Sequence, residues 1–457
     1  QGLATGDNNK FIRLFYEIDF NKTKFNANDC EEARNSKKKW FPYNKGGSFR
    51  KWYGNNDYVV NWENDGNEIK HFKDSVGNLR SRPQNTNYYF KKSITWSLIS
   101  TNSIAFRMKP LGHIFDVAGM SLFVEDNLFN YVLGLNNSKI IDTIINILAP
   151  TINYQVGNIA NIPVIIDEIK ADVIKEIVNS SINLSKLDWD EYETSWDFKK
   201  NPLLAVRENL RQIEINHQDA LKKTMLTIKE ILAKYKIQYV DDFSGKTFGE
   251  YLENEKEDIL LYIKDQNKIY LKIEDPELLE NITKEITKNL EKIYYFVKDL
   301  GSMSINSNFI NTKELKIIIG YSLQEFYSQY KNEVNARFDQ LKKNEEKLNR
   351  IFIDIYGLQD ELTPDVADKD ITVARIYDKR EDIPESMKGN IYVRTRQDVI
   401  KDLISYIVGC AFGRYSPYRD GLQFAGGTFD WTEFLDDERK LKYHKSTENM
   451  TISDRFM

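Results

Sequence analysis

The feature that most restricts how this chain can fold is an apolar stripe late in the sequence. Val334, Phe338, Leu341, Leu348, Phe352 and Ile355 recur at steps of three and four, Glu345 interrupts the series and Gly357 stops it. That spacing puts the apolar side chains on one side of a single long, heptad-like helix. Such a stripe must be covered. The charged flanks are too mixed for a clean dimer zipper, so the helix is predicted to pack against other helices of the same chain.

The remaining sequence divides by character. The first 165 or so residues are β-rich. Phe11–Phe20 alternates, and Tyr58–Trp62 runs into Asn64-Asp65-Gly66-Asn67, a hairpin signal. Ser93–Ile99 and Ile114–Val117 read as further strands, Asn127–Leu148 as one helix, and 161–166 as a short buried strand. From Asp167 onward polar helices dominate. Leu204–Lys234 carries a helical stripe, Asp241–Glu274 reads as a small α+β insertion, and Asp360–Pro384 as a charged linker. Ile400–Gly413 is a last apolar helix before a Gly/aromatic loop running from Arg414 to Trp431. The expected class is α+β. A β-rich domain over 1–166 is followed by a helical spacer over 167–235, a variable insertion over 236–325 and a mainly helical C-terminal region over 326–457.

A chain of 457 residues exceeds one compact core. No run of about 18 apolar residues is present, so no membrane span is expected. The start lacks the basic and apolar regions of a signal peptide, and Cys30 and Cys410 lie far apart; both points predict a cytoplasmic protein with free thiols rather than disulfides or zinc. The opening on Gln1 rather than methionine is expected of a piece of a longer chain or of a processed one. The net charge of −5 hides an asymmetry. Residues 31–110 hold 15 Lys/Arg against seven Asp/Glu, and the remainder is acidic. That points to a localised polyanion contact, the alternative being charges clustered on a solvated face.

Familiar catalytic patterns are missing. His71, His113, His217 and His444 are isolated from one another, with no metal-ligand spacing. Gly245-Lys246-Thr247 ends like a phosphate loop, but Val240 stands where its first glycine belongs. Glu253, Glu255, Glu257 and Asp258 read as an exposed helix face rather than a metal site. Methylation of a base amino group needs a Gly-rich turn for S-adenosylmethionine and an Asn/Asp-Pro-Pro-aromatic loop around the flipped base. Asn201-Pro202-Leu203 is the nearest string, and it lacks the second proline and the ring. No catalytic, cofactor or metal residue is assigned to this chain.

What does carry chemistry is a run of basic residues interleaved with aromatics. The candidates for DNA contact are Lys38, Lys39, Arg50, Lys51, Trp52, Arg80, Arg82, Gln84, Asn85, Tyr89, Lys91, Lys92 and Trp96. Lysine neutralises phosphates, Arg, Asn and Gln can match base edges with two bonds, and rings can stack or wedge. Two other readings stand beside this one. Trp52, Trp62 and Trp96 can be core of a β domain, and Arg82-Pro83-Gln84-Asn85 can be a turn held by its own side chains.

Several blocks resemble the BREX-type adenine-specific DNA methyltransferases, the PglX family. They include residues 1–11, Lys45-Gly46-Gly47, Arg50–Asn55, Asn61–Gly66, Arg82–Thr86, Thr95–Ser100, Phe115–Gly119, Gly134–Lys139, Asn349–Leu362 and Gly409–Ser416. The match runs along nearly the whole chain and is loosest over 235–330. The resemblance implies the target-recognition and C-terminal region of a phage-defence enzyme that methylates adenine N6 at a non-palindromic site with S-adenosylmethionine. Double-stranded DNA and other BREX proteins are the implied partners, with a monomeric chain. The alternative is a protein-interaction scaffold of a defence complex with incidental DNA contact.

Overall fold

The computed structural model of the chain describes residues 1–100, 103–148, 152–205, 225–240, 259–263, 268–273, 275–291, 295–302, 312–319, 323–416 and 419–426. The chain forms two units, Gln1–Pro202 with Lys331–Met457 and, separately, Leu203–Tyr330. The fold is mixed α+β, as expected. No helix among the described residues is long and apolar enough to cross a membrane.

The first unit opens with a short helix, α1 (Asn8–Phe11), and two small sheets. One has the order β1-β3-β2-β6, with β1 (Ile12–Leu14), β2 (Trp40–Asn44), β3 (Tyr58–Asn61) and β6 (Ile114–Phe115). Phe11, Phe41, Val60, Trp62, Tyr89, Phe90 and Phe115 fill its core together with Ile69 of α3 (Glu63–Lys70), while α2 (Cys30–Asn35) contributes Ala33. The other sheet is antiparallel, with β4 (Ser93–Ser97) between β5 (Arg107–Lys109) and β7 (Gly119–Leu122). A Cβ on Gly119 would lie 2.1 Å from the Asn44 carbonyl oxygen, so only glycine lets β7 run this close to the end of β2.

Behind the second sheet lie α4 (Asp126–Asn136), α5 (Lys139–Leu148), α6 (Val156–Ala160) and α7 (Ala171–Asp190). Gly134 lets α4 approach α7, where an added Cβ would sit 2.9 Å from Val178. Phe338, Leu341, Leu348 and Phe352 of the long helix Leu323–Tyr356 are buried in this same core, and Val334 of that helix is buried as well. The stripe is thus covered within one chain. A parallel pair, Arg375–Tyr377 with Val393–Thr395, leads into the helix Arg396–Ala411, whose start is fixed by Thr395 and Asp398.

The second unit holds the antiparallel strands Ile259–Ile263, Lys268–Lys272, Tyr295–Ser302 and Thr312–Ile319, with Gln238–Val240 parallel at one edge. Leu279, Ile282 and Ile286 of the helix Pro276–Glu291 pack with Ile228, Ile231 and Leu232 of a helical stretch at 225–234. Gly245-Lys246-Thr247, the acidic residues 253–258 and the middle of the expected 204–234 helix lie outside the described residues.

Several local expectations are corrected. Phe11–Phe20 is a strand only over Ile12–Leu14; the Glu17 carboxylate then accepts from the Leu14 N–H at 2.8 Å and turns the chain into a 3-10 helix. Asn64, Asp65 and Gly66 make no hairpin. All three are left-handed, and they fold the chain under the Trp62 ring into α3. Asn127–Leu148 is two helices, because the Asn137 amide exchanges hydrogen bonds with the Phe106 backbone and Asn349 accepts from the Lys139 N–H. Residues 161–166 are not a buried strand. Val164, Ile165 and Ile166 are exposed, and the stretch hangs from the Tyr131 and Tyr356 hydroxyls. The supposed linker 360–384 runs through the core at its centre: Ile371, Val373, Ala374 and Ile376 are buried, tied by the Asn335 amide and the Asp188 carboxylate.

Glu345, which breaks the apolar stripe, is only 3% exposed. Its carboxylate accepts from Lys51 Nζ and from Trp52 Nε1, both at 2.8 Å. Replacing Glu345 with Leu would leave both donors buried without an acceptor. Breaking a buried pair by removing one partner typically costs about 3–5 kcal/mol. We expect a loss of that size in urea unfolding, partly recovered when Lys51→Met is added; a loss under about 1 kcal/mol would contradict this account. His113 gives a pH test. Burial against Trp196 pushes its imidazole down to about 3, so it stays neutral in the folded chain while the unfolded chain takes up a proton near pH 6.5. Stability present above pH 6.5 should fall by roughly 1.4 kcal/mol per pH unit below it, and His113→Asn should flatten that slope in unfolding curves between pH 7 and 5.

Candidate nucleic-acid interface

The structure sorts the thirteen candidate residues into two groups. Arg50, Trp52, Tyr89 and Trp96 are buried, and Lys51 nearly so. Arg50 pairs with Asp188 and lies 5.0 Å from the rings of both Trp189 and Tyr392. Tyr89 meets Trp62 edge-on at 5.3 Å, and Trp96 donates to the Tyr154 carbonyl at 2.9 Å. With these partners none of the five presents a face to a duplex. Two more cations of the basic window also turn inward. Arg107 donates to the Arg50 carbonyl at 2.9 Å, and Lys109 to the carbonyls of Gly54 and Asn55 at 2.9 and 2.8 Å. Burial pulls the Arg107 guanidinium down to about 10 and Lys109 well below its usual range.

The outward group centres on the stretch after α3. Arg80 and Arg82 are exposed while Ser81 between them is buried, and the Arg80 guanidinium lies 5.8 Å from the Phe72 ring. Arg82 is fixed by its backbone, which exchanges two hydrogen bonds with Ala4 at 3.1 and 2.8 Å. Asn85 adopts a left-handed conformation and donates to the Gln1 carbonyl at 2.8 Å, while Gln84 Oε1 is buried with no hydrogen-bond partner. Lys91 is exposed, with its ammonium 5.1 Å from the Tyr88 ring. Lys92 is engaged: it faces Asp126 at 3.7 Å and stands 3.9 Å over the Phe129 ring. Lys38 reaches the Asn21 carbonyl, and Lys39 lies 5.7 Å from the Trp40 ring; both are half-buried.

One exposed cation escaped the sequence reading. Lys73 stands on a small hairpin, Phe72–Arg80, whose Asp74-Ser75-Val76-Gly77-Asn78 turn signal was there to be read. Among the described residues, Lys73, Arg80, Arg82 and Lys91 form no ion pair. Elsewhere in the unit, a cavity of about 340 Å³ opens beside Asn136, Lys139 and Asp142, with Phe49 and Lys51 on its wall and no glycine in its lining.

No family model matches the chain. It is 29% identical over 436 residues to the adenine-specific methyltransferase PglX of Lacticaseibacillus casei (strain Zhang), covering 95% of this chain and 26% of that protein. It is 28% identical over 430 residues to the adenine-specific methyltransferase BrxX of Escherichia coli O9:H4 (strain HS), covering 93% and 24%. The chain is homologous to both methyltransferases. It spans about a quarter of the length of these curated relatives.

If the outward cations contact phosphates, replacing Arg80, Arg82 and Lys91 with alanine weakens duplex binding and lowers the log–log salt slope by about 0.9 for each phosphate no longer neutralised. Fluorescence anisotropy across a salt series measures it. An unchanged slope in a folded triple variant places any DNA contact elsewhere.

Proposed function

We propose that this chain is the DNA-recognition and helical scaffold portion of a BREX-type N6-adenine DNA methyltransferase. The observation that carries the reading is the similarity along 95% of the chain to a quarter of PglX. The outward row of Arg80, Arg82, Asn85 and Lys91 supports it chemically, since forks, an amide and a point charge suit base edges and phosphates. On this reading S-adenosylmethionine and methyl transfer belong to the part of the relatives that this chain does not match. Other proteins of the defence system are partners of the assembled enzyme.

A second reading, a protein-interaction scaffold, draws on one feature. Ile400, Ile404, Ile407, Val408 and Phe412 lie exposed at helical spacing on and just beyond the helix Arg396–Ala411. The two readings separate in cells. Methylome sequencing of cells carrying the gene should find adenine methylated at one non-palindromic motif, with Arg82→Ala or Asn85→Ala relaxing or shifting that motif. If the motif stays intact in those variants and Ile404→Glu alone abolishes defence, the scaffold reading prevails. A specific S-adenosylmethionine site found on this chain by calorimetry would overturn the proposed division of labour.

A further inference from the structure

The hairpin Phe72–Arg80 is a projecting arm. Its two legs are joined by the Lys73–Leu79 bridge and by the Arg80 N–H donating to the Phe72 carbonyl at 2.9 Å. The root is anchored, with Phe72 edge-on to Phe11 at 5.1 Å and buried Ser81 donating to the Ile69 carbonyl. The tip is stiff. Asp74 accepts from the N–H groups of Val76 and Asn78, both at 2.9 Å, and from the Asn78 amide at 3.3 Å. These bonds hold its carboxyl below the usual carboxylate range. Val76 at the tip is 82% exposed, Leu79 is 60% exposed, and a Cβ on Gly77 would touch nothing.

We propose that this arm enters the minor groove of duplex DNA and sets Val76 as a wedge against a base step; the proposal rests on the DNA reading above. Single exposed apolar side chains are common, but this one is held at the tip of a stiff arm with cations along it. Lys73, Arg80 and Arg82 stand on the arm and beside its root against one carboxylate, Asp74, so the arm is net positive and suits a polyanion. The tip's acid and the amide nitrogen of Asn78 are engaged within the turn, which leaves few side-chain groups there for reading major-groove edges. Minor-groove proteins combine this equipment: cations along the backbone and a small apolar group that unstacks a step and bends the helix. A protein partner fits less well, because a stable interface buries about 800 Å² per side and the apolar tip is one valine and one leucine.

The test uses the whole chain with duplexes carrying 2-aminopurine at dispersed steps and a fluorophore pair at the ends. The unsubstituted chain is expected to raise 2-aminopurine emission and shorten the end-to-end distance. Val76→Ser should lose both signals while keeping the salt slope, and Val76→Leu should retain them. Binding without unstacking or bending in the unsubstituted chain, or signals unchanged in Val76→Ser, overturns the wedge and leaves DNA recognition standing. No duplex binding at all overturns the DNA reading and the wedge together, and retention of Val76→Leu but not Val76→Ser by a protein of the defence system on a DNA-free column would assign the arm to a protein partner.

Discussion

The junction between the second sheet and the helices is built around a carboxylate where a leucine would be the easy choice. Glu345 sits in the apolar seam of the long helix Leu323–Tyr356, at the point where Lys51 and Trp52 of the sheet-bearing part reach it. Two further ties lie close by: Arg50 to Asp188 of α7, and the Lys51 N–H to the Thr372 hydroxyl at 3.1 Å. A buried ion pair adds little net stability over a well-packed apolar one, because desolvation cancels much of the attraction. It does make one arrangement far better than its neighbours, since any slip of the seam strands charges in a low dielectric. The joint between sheets and helices is therefore set by polar matching, and the apolar stripe supplies the area around it.

The same logic divides the basic window. Arg50, Arg107 and Lys109 brace the loop between β2 and β3 from inside, using backbone carbonyls as acceptors, with half-buried Asp57 near them, its carboxyl raised by desolvation. Lysine and arginine are here structural cross-braces. The candidate cations that face out, Arg80, Arg82 and Lys91, follow α3, where Ser81 takes the inward position and leaves Arg80 and Arg82 on either side of it. A count of charges along the sequence cannot tell these roles apart, because both use the same residue types.

Much of the helical architecture was legible because periodicity is a property of neighbours in sequence. The stripe from Val334, the strands at β3 and β4 and the helix after Thr395 all follow from local pattern. What failed depended on contacts between distant residues. Asn137 looks like any polar residue within a helix until Phe106 and Asn349 are placed beside it, and 360–384 looks like a linker until Asn335 and Asp188 claim its backbone. Asn64-Asp65-Gly66 carries a true turn signal, but the Trp62 ring decides which turn. For the candidate interface the residue types were readable and their direction was not. Trp52 and Arg50 have the chemistry of a DNA contact, and the core took them.

The arm at Phe72–Arg80 has a consequence for how chains of this kind can change over time. Its legs are pinned at Phe72 and Ser81, and among the described residues nothing lies within 4 Å of a Cβ placed on Gly77 in the turn between them. Residues inserted or deleted there touch no core atom, so folding places few limits on them. The frame built on Glu345 and the buried cations has no such freedom. Related chains can drift apart at the arm while remaining superimposable elsewhere, and a lineage could acquire a new preference by altering a few residues at this one spot.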